Sequence, residues 1–201
     1  MINMDIQVSQ QQCKLDMHGL KKVFIGLLII IFDLRANGFN IIPDIIGYIF
    51  IMSALNSLGQ YNIKFRKAKT FAAYLIFMSV FDLYKINIYT ESTFLIVFFI
   101  LWSLLYLVLD LILIYYICDG TRQIAIEYNE QGIADKYKTW VVYIIGGRII
   151  SYFGFLFFSN IVYLIPFILI DWFTIITFLI LLKKGFEALQ GKTDRNSYIC
   201  E

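Results

Sequence analysis

Between Phe94 and Ile117 the chain carries a single charge, Asp110, in a run that would extend roughly 36 Å as a helix. A hydrocarbon layer about 30 Å thick is spanned by roughly 20 apolar residues, so this run has the length of a membrane crossing. Composition removes the alternative of a buried soluble helix. The chain of 201 residues is 60% hydrophobic and 16% charged, with mean hydropathy +0.72. A soluble domain of that size has no interior large enough to cover so much apolar surface. We therefore expect an all-α integral membrane protein.

Six apolar segments follow one another. The first, Val23 to Phe32, is short, and the second, from about Asp44 to Leu58, is short and diluted by Gly47, Ser53, Asn56 and Ser57. Between them Asn37-Gly38, Asn40 and Pro43-Asp44 form a corner, because asparagine and glycine favour turns and proline suits a first helical turn. This hairpin either crosses a thinned bilayer or re-enters on the side it left, packed against protein. Helix three is expected over Thr70 to Tyr89 and helix four over Phe94 to Ile117. Residues 119–139 read as an amphipathic loop of two short helical turns outside the membrane, broken near Asn129 to Gly132. Helix five covers Val141 to Phe158, Ser159-Asn160 turns the chain, and helix six runs from Ile161 to Leu182. Residues 1–19 and 185–201 read as polar tails around one membrane domain, 20–184.

Basic residues give the orientation. Fourteen lysines and arginines lie before helix one, between helices two and three, between four and five, and after six. The opposite side holds Arg35 and Lys85 alone. Positive residues accumulate on the cytoplasmic side, which places both termini there. Cys13, Cys118 and Cys200 then fall at or near the cytoplasmic face, where free thiols are expected.

Each long segment carries one costly group. Counted from the cytoplasmic end at helical rise, Asp110 lies about 12 Å deep, Arg148 roughly 10 Å and Asp171 roughly 16 Å. Charges at such depth face the bundle interior and pair with one another, or mark a functional path. Tyr106 and Ser103 share the Asp110 face at helical spacing, and Ser151 and Tyr152 flank Arg148. Gly147, Ser151 and Gly154 make a small-residue stripe along which helix five can approach a neighbour. Asp110, Arg148, Asp171, Tyr106 and Tyr152 are thus a candidate intramembrane binding site, with a structural ion pair as the alternative. Two acids against one base leave a surplus carboxylate. Asp33, Arg35, Asp44, Asp82 and Lys85 form a second candidate group on the outer side, by the hairpin, with an ordinary interfacial rim as the alternative.

No catalytic set is present. There is no phosphate loop, nucleophile elbow or zinc-protease motif. One histidine, His18, and unspaced cysteines give no metal site, and no cofactor is expected. Asp119-Gly-Thr-Arg122 with Gly132 and Asp135 departs in spacing from the metal-binding stretch of CDP-alcohol phosphotransferases and lacks its last aspartate. A net charge of +2 gives no reason to expect nucleic acid.

Gly19-Leu-Lys-Lys, Asp33, the run Gly38-Phe-Asn-Ile-Ile-Pro-Asp-Ile-Ile-Gly-Tyr48 and Lys67-Ala-Lys carry a resemblance, with Gln123-Ile-Ala-Ile-Glu before Trp140 as a fainter echo. On these motifs the chain resembles a group of small, uncharacterised multi-pass membrane proteins of Gram-positive bacteria. The resemblance covers the first third closely and the rest loosely, and it implies a bacterial cytoplasmic membrane. The expected function is non-catalytic binding of a membrane partner or lipid, with a homo-oligomer as one form of partner. The alternative is a small transporter or ion-coupled carrier in which Arg148 holds an anionic group and a surplus carboxylate, Asp110 or Asp171, carries a proton.

Overall fold

Where turn formers crowd behind the first apolar run, the backbone doubles back through a strand pair of two residues a side. Arg35–Ala36 (β1) and Phe39–Asn40 (β2) pair antiparallel, Arg35 opposite Asn40. The computed structural model describes residues 18–31, 35–36, 39–40, 44–80, 93–157 and 161–197. The hairpin joins helix α1, His18–Ile31, to α2, Asp44–Leu58. Four helices follow: α3 Ile63–Ser79, α4 Thr93–Glu127, α5 Gln131–Phe157 and α6 Ile161–Ser197. The expected helical class is what the described residues form.

Among the described residues, three segments are long and apolar enough to cross a membrane: Val97–Glu127, Gln131–Phe157 and Tyr163–Glu187. Helices α1 and α2 have 14 and 15 residues. At helical rise they reach only about 22 Å, short of a bilayer core.

Successive helices run antiparallel and pack on one another, and α6 returns against α1. The helices therefore form a ring. Two small-residue seams set how closely it closes. A Cβ on Gly26 would stand 2.7 Å from the Gly47 carbonyl oxygen, so α1 and α2 meet backbone to backbone. On α5, a Cβ at Gly147 or Gly154 would enter Thr174 or the Phe167 ring of α6, and Ser151 Oγ donates to the Phe167 carbonyl at 3.1 Å. That is the close approach the stripe on α5 predicts.

Several boundaries differ from expectation. The segment 119–139 is helical, but it is the unbroken continuation of α4 to Glu127 and the start of α5 at Gln131. Its turn is a left-handed helix cap. Asn129 has φ 57, its N–H donates to Ile126, and the Glu130 N–H donates to Ala125. Both orphan carbonyls are thereby satisfied, with asparagine in the position glycine usually takes. Helix α3 begins at Ile63, seven residues before the expected start at Thr70. Asn62 caps it by accepting from the Lys64 N–H at 2.8 Å. Helix α6 runs on to Ser197, so the expected polar tail after residue 184 is largely helical. The corner Ser159-Asn160, the second half of the expected helix three, Cys13 and Cys200 lie outside the described residues.

The core sits in the half of the ring nearer the α4–α5 turn. Leu55, Leu58, Phe65, Ala68, Ile117 and Ile124 are essentially inaccessible there, and Cys118 is buried as a free thiol among them. An ion-pair network ties α3 to α4 at that end. Asp119 holds Lys64 at 2.7 Å and Arg122 at 3.7 Å, while Asn62 donates to Gln123 at 2.8 Å. The hydrogen bond to Asp119 holds the Lys64 ammonium above its ordinary range. Asp119 is therefore engaged as a strut between helices. Toward the other end α4 presents Leu101, Leu104, Leu105 and Val108 outward, all exposed.

Candidate functional site

Each of the three long helices contributes one charged side chain to a single bridge. Arg148 on α5 points one terminal nitrogen at Asp110 Oδ2 on α4, 3.2 Å away. Its other terminal nitrogen donates to Asp171 Oδ1 on α6 at 3.1 Å. Depth along the sequence predicts this meeting, because antiparallel α4, α5 and α6 bring the three residues to one level. The bridge is enclosed but not sealed. The side chain of Asp110 is 13% accessible, against 25% for Arg148 and 24% for Asp171. Thr174 Oγ1 donates to the Asp171 carbonyl at 2.7 Å, a local bond that fixes the α6 backbone beside the carboxylate.

Two cavities flank the bridge. One, about 320 Å³, lies toward the α4–α5 turn and is walled by Leu27, Ile30, Ile114, Ile144, Trp172 and Phe178. The other, about 340 Å³, lies toward the opposite end, among Tyr48, Trp102, Tyr106, Ser151, Tyr152 and Phe155. The linings share only Ile30, Asp110, Arg148 and Asp171. The ion bridge is thus a polar wall common to the two half-open chambers.

Compared with protein-family models, curated proteins and solved structures, the chain matches none. The site must be read from its own chemistry.

Tyr106 and Tyr152, expected near the charges, both line the second chamber. Tyr152 shares a 2.8 Å hydrogen bond with Ser103 across α5 and α4. Tyr106 shares one of 2.7 Å with Tyr48, the last residue of the motif that follows the corner. Tyr48 is the residue that the sequence reading of the site lacks. It is buried, its ring meets that of Tyr106 edge to face, and it brings α2 to the second chamber. Its partner is 58 residues away, a separation at which periodicity says nothing. The local signal is a single hydroxyl within the apolar run Ile45 to Met52.

The outer candidate group falls largely outside the described residues. Asp33, Asp82 and Lys85 lie outside the described residues, Arg35 is in β1, and Asp44 opens α2 without lining either chamber.

Proposed function

We propose that this chain is a non-catalytic, multi-pass membrane protein that binds a small molecule or lipid at the Arg148 bridge inside its helix ring. The observation that carries the reading is the bridge between chambers. Three charges from three helices are held at a depth where lipid offers nothing to pair with them. Space adjoins the bridge on both sides. Chambers of this volume, mostly apolar with a few convergent polar groups, are the usual form of small-molecule sites.

In this reading all six segments lie in the membrane, α1 and α2 as a short hairpin. The basic residues of α1, the start of α3, the end of α4, the start of α5 and the end of α6 face the cytoplasm. The test is native mass spectrometry of protein released from its own membranes in mild detergent. Wild type should retain a bound small molecule or lipid that Arg148→Gln loses. Equal adducts on both proteins, or none on either, would count against the site.

A second reading is a carrier. The placement of one chamber on each side of a shared charged wall favours it, since a rearranged bridge would connect them. Purified protein in liposomes should then move a solute across the bilayer, and Asp171→Asn should abolish the flux.

A further inference from the structure

The charge arithmetic of the bridge says which ligand it accepts most readily. Two carboxylates face one guanidinium, so with both aspartates ionised the centre carries one surplus negative charge in a low-dielectric setting. Both terminal nitrogens of Arg148 are already engaged, at 3.2 and 3.1 Å. An incoming anion could meet only the remaining N–H donors of Arg148, and it would add to the surplus negative charge of the two aspartates, which is costly where water is scarce. A cation displaces nothing, and it cancels the surplus.

The walls of the 340 Å³ chamber agree. Tyr48, Trp102, Tyr106, Tyr152 and Phe155 line it beside Asp171. The tyrosine hydroxyls are turned to one another or to Ser103, at 2.7 and 2.8 Å, which leaves the chamber rich in ring surface. Aromatic faces carry negative potential and attract ammonium groups, quaternary ones included. Such a wall suits a ligand with an apolar body better than a sugar or another densely hydroxylated solute. Phe155 is 48% exposed, so the rim of the chamber opens toward the apolar flank of the protein.

We propose that this chamber takes an organic monocation with an apolar body, an alkyl- or arylammonium, its charge set against Asp171 and its body against Trp102, Tyr106 and Phe155. The inference rests on the reading of the bridge as a ligand site and adds the sign and class of the ligand.

Two probes of nearly the same shape and opposite charge test it: benzyltrimethylammonium and phenylmethanesulfonate. Each is titrated by calorimetry into the full chain in lipid nanodiscs, with empty nanodiscs subtracting partition into lipid. The ammonium should bind saturably, once per chain, and at least about tenfold more tightly than the sulfonate, as one uncompensated charge at short range requires. Asp171→Asn should weaken it by about tenfold. Phe155→Leu leaves the ion bridge intact and should weaken it about threefold, which keeps the test open if the aspartate variant does not fold.

Tighter binding of the sulfonate, lost in Arg148→Gln, would overturn the cation and leave the ligand site standing. Unchanged ammonium binding in folded Asp171→Asn would overturn the placement of its charge. If neither probe binds, the proposal falls, and the retained-ligand measurement then decides separately whether the bridge is a site at all.

Discussion

Replacing Arg148 with glutamine removes the cation that bridges Asp110 and Asp171 and leaves a neutral, shorter polar side chain. At 3.2 and 3.1 Å each ion pair is worth about 5 kcal/mol in gross Coulomb energy at an effective dielectric near 20. Most of that gain is offset in the native protein by the cost of drawing three charges out of water. Deleting the arginine does not return that cost, because both carboxylates stay behind and now repel. The net loss should therefore be about 3–5 kcal/mol, the range for stranding a partner of a buried ion pair. In a chain of this length that lowers the melting temperature by roughly 10 °C. The assay is thermal unfolding in detergent or nanodiscs, followed by tryptophan fluorescence and repeated on Asp110→Asn/Arg148→Gln/Asp171→Asn. With no charge left to strand, the triple variant should recover more than half of the loss. The reasoning is refuted if Arg148→Gln melts with the wild type, or if the neutral triple variant is no better than the single one.

Three further outcomes follow from the packing. Gly154→Ala drives a methyl into the Phe167 ring and should cost about 1–3 kcal/mol, read as a lower melting temperature. Tyr48→Phe and Tyr106→Phe each remove one side of a 2.7 Å hydrogen bond and should each cost about 1 kcal/mol. A double-mutant cycle on this pair should show that the two losses are not additive. Lys64 has its pKa raised by Asp119, so their ion pair contributes fully below an unfolded lysine value near 10.4 and is lost as pH rises through the folded value. Wild-type stability should therefore fall more steeply than that of Lys64→Met above about pH 10, measured by parallel melts across that range.

The candidate bridge was legible in the sequence because charges in apolar helices are few and helical rise converts position into depth. Asp110, Arg148 and Asp171 each announce themselves alone, and antiparallel threading brings them to one level. The Gly147, Ser151 and Gly154 stripe was legible for a similar reason, since a close contact needs small residues at helical spacing. Helix ends were harder. Asp119, Arg122, Lys183 and Lys184 mark where the apolar runs end, and the end of an apolar run does not stop a helix. What ends α4 is the left-handed cap at Asn129, which falls at the break expected near Asn129 to Gly132, and what starts α3 is the cap at Asn62, visible in sequence only as an ordinary polar residue. Tyr48 was illegible for a third reason. Its role depends on Tyr106, which comes near it only once the ring has closed.

The unbroken passage of α4 from the charged bridge to the α4–α5 turn has a mechanical consequence. From Asp110 to Glu127 the helix is a rod of roughly 26 Å with no proline in it. A tilt of about 5° at the level of Arg148 would swing its far tip by about 2 Å. The Asn129 cap fastens that tip to α5, and Asp119 fastens the rod to α3 on the way. Any tilt of α4 at the bridge would therefore be passed to α5 through that cap and to α3 through Asp119.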